Sequence, residues 1–249
     1  MSVRSVVLAY HAVSRAWDHA MAVSPARLEA NVRLLLRRGL RPVTFTEAVR
    51  LGPDAAAVAV TFDDAYRSIH RLALPVLRDL GVPATVFAPT AYIGTDRAMS
   101  WPGIDALFPP GHDGELLPMS WQDLTELADA GWEIGSHSCS HPRLTRLGDE
   151  ELRRELEASR TEIEQRLDRP CRSLAYPYGD VDPRVIAAAG AAGYATGANG
   201  RPRDRRPQAL RWPRIGVYGA DASWRFGLKV SPAVRLAMGL VEPMRRFEA

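Results

Sequence analysis

Short apolar segments rich in β-branched residues alternate along this chain with longer segments of helical periodicity, and this alternation constrains the fold more than any other feature. It is typical of parallel βα units, in which a helix carries the chain back between neighbouring strands. Strands are predicted at 5–10, 42–44, 57–62, 84–88, 132–135, 173–176, 194–197 and 214–217. Helices are predicted at 25–39, 68–80, 121–130, 149–167 and 183–192. So many units in succession indicate an α/β barrel rather than an open sheet.

The chain is long enough for one such barrel. With 249 residues, of which 46% are hydrophobic and 24% charged, it can bury a sizeable core in a single domain. We therefore expect a barrel over residues 1–230 and a C-terminal helix over residues 231–249. The apolar spacing of that helix fits either packing on the barrel or peripheral association with a membrane surface.

No apolar stretch is long enough to predict a transmembrane helix, and the N-terminus lacks the features of a signal peptide. The two cysteines, Cys139 and Cys171, form neither a CxxC pair nor a disulfide framework. These observations favour a cytoplasmic protein. The segment 90–120 is rich in proline and glycine, and it predicts a long loop that either contacts a ligand or has no role.

Two short motifs carry the chemistry. Thr61-Phe62-Asp63-Asp64 ends one predicted strand, and His137-Ser138-Cys139-Ser140-His141 follows another. One carboxylate and two imidazoles form the three-ligand set that leaves a catalytic divalent ion an open position for water. The sequence therefore predicts a metal site at Asp64, His137 and His141, with Asp63 left as a base.

The candidate residues share one position within the βα units. His11, the Asp63–Asp64 pair, His137 and Tyr178 each follow a predicted strand directly. In parallel α/β barrels the carboxyl ends of the strands meet on one face, where active sites lie. We therefore expect these side chains to converge.

The positive charge of the chain is local. The whole chain carries a net charge of +3, whereas residues 201–249 contain eleven Arg and Lys against four Asp and Glu. A cluster at Arg201, Arg203, Arg205 and Arg206 fits a solvated loop, or a surface for a polyanion or a membrane. Because no zinc-finger spacing or aromatic RNA motif accompanies it, we expect no nucleic-acid partner.

A third motif, Ala175-Tyr176-Pro177-Tyr178-Gly179, completes a family resemblance. In this order the three motifs are similar to those of the polysaccharide deacetylases, the NodB-homology carbohydrate esterases. The resemblance implies a distorted (β/α) barrel that removes acetyl groups from N-acetylated amino sugars with one bound divalent metal. It also implies that Asp63 is the general base, that Asp64, His137 and His141 bind the metal, and that the Tyr178 backbone N–H stabilises the oxyanion.

The chain departs from the common family pattern at two positions. Many members carry an arginine where this chain has Ala175, and a late Leu-x-His that supplies the general acid, whereas no histidine follows His141. His11 is the best substitute acid, since its Tyr-His context resembles the branch with poly-N-acetylglucosamine deacetylases. Arg214 is a candidate for orienting Asp63, with a surface arginine as the alternative.

Several alternatives stay open at this point. The same scaffold could hydrolyse a non-sugar C–N bond, or it could be a catalytically silent glycan-binding module, which the missing late histidine suggests. The donor set favours Zn²⁺ and also accepts Co²⁺, Ni²⁺, Fe²⁺ or Mn²⁺. No obligate protein partner is expected.

Overall fold

The computed structural model describes residues 4–101, 113–199, 207–232 and 234. The strands are β1 Val6–Tyr10, β2 Ala12–Val13, β3 Ala22–Val23, β4 Arg41–Val43, β5 Ala57–Phe62, β6 Ala84–Ala88, β7 Glu133–Ser136, β8 Ser173–Ala175, β9 Thr196–Asn199, β10 Trp212–Pro213 and β11 Ile215–Gly216. The α-helices are α1 Pro25–Arg37, α2 Phe45–Leu51, α3 Leu74–Asp79, α4 Trp121–Asp129, α5 Asp149–Leu167, α6 Pro183–Ala191 and α7 Ser223–Lys229. Every strand and helix predicted within the barrel has a counterpart in this α/β order, whereas β2, β3, α2 and α7 were not predicted.

Nine strands form one parallel sheet that nearly closes into a barrel. Its order is β10-β9-β8-β7-β6-β5-β1-β11, with β4 paired to β5, while β2 and β3 form a separate pair. The two ends of the sheet, β10 and β11, are consecutive in the chain and are separated only by Arg214. The predicted (β/α) barrel is therefore confirmed.

The barrel is distorted at β5, which has two neighbours along one edge. The first half of β5, from Ala57 to Ala59, pairs with β4, and Val60 to Phe62 pair with β6. Alternate residues of β5 face opposite sides, as expected for a strand with both faces buried. Ala57 and Ala59 join the small cluster inside the barrel, whereas Val58, Val60 and Phe62 join the large core beneath the helices.

Helix α2, which the sequence did not predict, covers the amino-terminal end of the barrel. The backbone N–H of Phe45 donates to Thr85 Oγ1 near the start of β6, and that of Thr46 donates to Glu133 Oε2 at the start of β7. The Phe45 ring is fully buried and meets Phe87 edge-on at 5.6 Å between centroids. Because α2 covers the amino-terminal end, the carboxyl end of the barrel is the end at which a site can lie.

Three predicted elements differ in detail. The helix predicted at 68–80 is a π-helical turn, Ile69–Ala73, followed by α3, because Pro75 has no N–H to continue the α-helical ladder. The strand predicted at 194–197 begins two residues later, since Tyr194 still closes α6 through a bond from its N–H to Ala189 O. The single strand predicted at 214–217 is two short strands on either side of Arg214.

Some predictions fall outside the described residues. These are the arginine cluster Arg201, Arg203, Arg205 and Arg206, most of the predicted C-terminal helix 231–249, and residues 102–112 of the long segment 90–120. The described end of that segment forms a 3₁₀ turn, Asp113–Leu116. Among the helices that the structure describes, none combines the length and the apolarity needed to cross a bilayer.

Candidate metal centre

The first motif forms a strained turn where β5 ends. The Asp63 N–H donates to Tyr10 O at 2.9 Å and so continues the ladder with β1. The next two residues, Asp64 and Ala65, adopt left-handed backbone conformations with φ of 66° and 51°. Non-glycine residues rarely do so, and such strain concentrates at functional sites. Both carboxylates are buried despite following one another in the chain.

The second motif leaves β7 as a compact loop, residues 137–141, which we call the histidine loop. The His137 N–H donates to Ala88 O at 2.9 Å, and Nδ1 of the ring is bonded to Ala175 O at 2.7 Å. That bond leaves Nε2 available as a ligand. Ser138 and His141 are left-handed, with φ of 64° and 62°, and the His141 N–H donates to Ser138 Oγ.

Asp64, His137 and His141 meet at the carboxyl end of the barrel. Nε2 of each histidine lies 3.5 Å from Asp64 Oδ1, and one ligand atom from each residue lies within 4.8 Å of the others. Ligands about 2 Å from a tetrahedral ion are separated by about 3.3 Å, so the spacing suits such an ion. Asp64 Oδ1 is buried without a hydrogen-bond partner among the described residues. The residues therefore fit a divalent metal.

The electrostatics of the three residues also suit a cation. Burial raises the pKa of Asp64 well above its usual value, and the nearby Asp63 charge raises it further. Burial lowers the pKa of His137 and His141, which keeps both imidazoles neutral as a metal requires. A bound cation would stabilise the Asp64 carboxylate that burial disfavours.

Asp63 is held by Arg214. Nη1 and Nη2 of the guanidinium donate to Oδ1 and Oδ2 at 2.7 and 2.8 Å, and Nη1 also donates to Thr61 Oγ1 at 3.0 Å. Arg214 is buried at the junction of β10 and β11, so the surface-arginine alternative is wrong. Burial would raise the pKa of Asp63, but the Arg214 guanidinium beside it holds that pKa below its usual value.

His11 lies on the other side of the same carboxylate. Its Nε2 is 4.0 Å from Asp63 Oδ2, and its side chain is 21% exposed. Burial lowers the pKa of His11 to about 4, although the charge of Asp63 opposes this shift. The imidazole is therefore neutral near pH 7. The structure thus brings His11, the predicted substitute acid, and Arg214, the predicted orienting residue, to the same carboxylate.

The third motif places Tyr178 at the edge of the site. Its backbone is left-handed, with φ of 60°, within the 3₁₀ turn Pro177–Gly179. The ring lies edge-on to His141, with 4.8 Å between centroids.

Two residues at the site were not predicted from the sequence. Trp101 stacks on the His141 ring at 4.1 Å, and the Arg143 guanidinium lies 4.2 Å from the centre of the Tyr178 ring. Trp101 lies in the irregular segment 90–120, where no periodicity indicates which side chain faces the site. Arg143 lies only two residues after His141. This closeness in the sequence is the one signal from which its position at the site could have been predicted.

Fold and site together define a class of protein. Residues 51–197 match the family model described as polysaccharide deacetylase, and the chain belongs to that family. The matched range contains the proposed metal ligands, Asp63 and Tyr178. His11 and Arg214 lie outside it.

Individual relatives agree with this assignment. The chain is 26% identical over 225 residues to YxkH of Bacillus subtilis (strain 168), which is named as a polysaccharide deacetylase. The aligned region covers 86% of this chain and 73% of that protein. The Streptococcus pyogenes deacetylase PplD, solved in complex with acetate, matches 93% of this chain and 100% of its own with a TM-score of 0.75 and 18% identity. IcaB from Ammonifex degensii matches 93% of this chain and 96% of its own with a TM-score of 0.74 and 23% identity. The two solved structures establish the fold.

Proposed function

We propose that this protein is a metal-dependent hydrolase that removes N-acetyl groups from an amino sugar, an oligosaccharide or a glycan intermediate. The observation that carries the proposal is the buried Asp64, His137 and His141 cluster beside a second carboxylate, Asp63, that Arg214 holds at both oxygens. Family membership and the acetate complex of PplD support the N-acetyl group as the part of the substrate that reacts.

Asp63 would act as the general base. A divalent ion bound by the three ligands would acidify a water molecule and polarise the carbonyl of the substrate amide. Because its pKa is held below the usual value, Asp63 is ionised at neutral pH and can accept the proton of that water. Arg214 fixes the carboxylate through two bonds and leaves further lone pairs free to accept.

His11 would protonate the leaving nitrogen, and the Tyr178 backbone N–H would stabilise the negative charge that develops on the amide oxygen. Since His11 is neutral near pH 7, it has to gain a proton within the catalytic cycle before it donates one. Asp63 lies 4.0 Å away and takes up a proton in the first step, so the two residues are placed to share it. We propose Zn²⁺ as the metal; the donor set also accepts Co²⁺, Ni²⁺, Fe²⁺ and Mn²⁺.

The test is acetate release from N-acetylglucosamine oligomers by metal-stripped protein reloaded with Zn²⁺, Co²⁺ or Ni²⁺. Asp63→Asn should reduce kcat by roughly 10²–10⁴-fold, the contribution typical of a positioned base, and His11→Ala should cause a further separate loss. Hydrolysis of small cyclic amides, measured as ring opening, without acetate release from the oligomers would favour the non-sugar alternative. Glycan binding without hydrolysis under any metal would favour the silent binding module.

We also propose that helix α7, which precedes the predicted C-terminal helix 231–249, contacts a membrane surface. Helix α7 exposes 65% of Trp224 and 48% of Leu228, which lie one turn apart, while Phe226 between them is buried. Tryptophan and leucine beside a cation such as Arg225 are favoured at the lipid–water interface. Co-sedimentation with phosphatidylserine vesicles should fall several-fold in Trp224→Ser/Leu228→Ser, and equal binding by both proteins would contradict the proposal.

A further inference from the structure

Helix α5 presents two polar side chains, Glu155 and Ser159, to the histidine loop. They lie four residues apart and therefore share one face of the helix. Ser159 is fully buried, at a position where a helix face normally carries an apolar side chain. Glu155 bonds directly to the histidine loop, and Ser159 reaches the loop through Ser136 at the end of β7.

Glu155 binds the middle of the histidine loop with both carboxylate oxygens. Oε2 accepts from the consecutive backbone N–H groups of Cys139 and Ser140 at 2.8 and 3.0 Å. Oε1 accepts from Ser140 Oγ at 2.6 Å. Hydrogen bonds from neutral donors to an ionised carboxylate are stronger than those between neutral groups, so this attachment resists displacement of the loop.

Ser159 supports the start of the same loop. Its Oγ lies 2.8 Å from Ser136 Oγ and 3.1 Å from Tyr194 Oη, and Ser136 Oγ in turn accepts from the Ser138 N–H. The loop is thus fixed to α5 at two places, before and between its histidines. Fixing is needed because Ser138 and His141 adopt left-handed conformations that a free peptide seldom populates.

We propose that Glu155 is a positioning residue for the metal centre: it holds the histidine loop in the conformation that aims His141 at the ion. The proposal rests on the proposed function, because it assumes that Asp64, His137 and His141 bind a metal. Loss of Glu155 would free the Cys139 and Ser140 N–H groups, and the loop would relax from its left-handed conformation. His141 would then leave the ligand geometry while His137, fixed by Ala175 O, would stay.

The test is direct Co²⁺ and Zn²⁺ binding to metal-stripped protein, with the Co²⁺ absorption spectrum as the reporter of coordination. Glu155→Ala and Glu155→Gln should weaken metal affinity by about 10–100-fold and shift the Co²⁺ spectrum toward fewer protein ligands. Ser140→Ala, which removes only the hydroxyl bond, should give a smaller loss. Glu157→Gln is the matched control, since Glu157 lies on the same helix, is 45% exposed and pairs with Arg153, and it should bind like the parent protein.

The outcomes separate the two proposals. If the parent protein binds neither ion, the proposed function fails. If the parent binds and Glu155→Ala binds equally well with an unchanged spectrum, the positioning role of Glu155 is overturned and the proposed function stands. Should Glu155→Ala fail to fold, Ser140→Ala decides the matter: affinity and spectrum identical to those of the parent overturn the proposal.

Discussion

At the scale of single residues, Asp63 and Arg214 form a buried ion pair that is separated by 151 positions in the sequence. Both side chains are almost excluded from water. Removing one partner of such a pair leaves an uncompensated buried charge, which costs more than the pair itself contributes. A substitution of either residue is therefore expected to change both the stability of the fold and the proposed catalytic activity.

Arg214→Met should lower the free energy of unfolding by about 3–5 kcal/mol, the usual cost of an unpaired buried charge. Chemical denaturation with urea measures this change. The double variant Asp63→Asn/Arg214→Met should recover part of the loss, because the remaining carboxylate is neutralised. Additive effects of the two substitutions would show that the pair does not interact in solution.

Arg214→Lys should fold and lose activity, since an ammonium cannot reproduce the two parallel bonds.

The reactivity of the Cys171 thiol tests whether this side chain is buried in the native protein. Burial, followed by the charge of Glu164, raises the pKa of this thiol to about 12. Since the thiolate is the reactive form, its fraction at pH 8 is very small in the folded state. In a Cys139→Ser background, Cys171 should react with a disulfide reagent many times faster in guanidinium chloride than in buffer. Equal rates would mean that Cys171 is accessible in the native protein.

At the scale of elements, the sequence predicts what local periodicity determines and misses what tertiary contacts determine. Strands β5 and β6 match their predictions residue for residue, because buried parallel strands read as continuous apolar runs. The left-handed turns of the motifs, the division of the last strand at Arg214 and the seven-residue α2 depend on distant partners. For the same reason the proposed metal ligands could be identified as a cluster from their spacing, whereas the positions of Trp101 and Arg143 at the site could not.

Helix α2 yields a prediction of its own. Phe45→Ala would leave a cavity beside Phe87 at the amino-terminal end of the barrel and should destabilise the protein by about 3–5 kcal/mol. Metal affinity should not change, because the site lies at the opposite end. Arg50→Ala, in the same helix, serves as a control and should shift stability little. A large loss of metal affinity in Phe45→Ala would show that the two ends of the barrel are coupled.

At the scale of the whole molecule, the barrel holds the proposed metal ligands together at an energetic cost. Four non-glycine residues of the three motifs, Asp64, Ser138, His141 and Tyr178, have positive φ, as does Ala65 directly after the first motif. Within the described part of the chain, Asp64 Oδ1 is buried without a hydrogen-bond partner. Strain and desolvation of this kind persist only where the surrounding structure imposes them, and a bound cation would relieve part of the cost.

Metal should therefore stabilise the fold. An ion present at 1,000 times its dissociation constant adds about 4 kcal/mol to the free energy of unfolding. For a chain of this length we expect a chelator to lower Tm by roughly 8–16 °C, as measured by differential scanning calorimetry. Asp64→Ala should abolish the effect of the chelator, while His70→Ala, which removes a histidine outside the site, should retain it. An unchanged Tm in the parent protein would argue against a metal at these residues.

The division of the last strand at Arg214 has a consequence for motion. Trp212–Pro213 pairs with β9, and Ile215–Gly216 pairs with β1. Arg214, which joins these two edge strands of the sheet, also donates hydrogen bonds to Asp63. If the barrel opened between β10 and β11, the Arg214 guanidinium would move away from the Asp63 carboxylate. Opening of the barrel at this point would thus also misalign Asp63, the proposed base, and the proposed hydrolase would be active only while the sheet is closed.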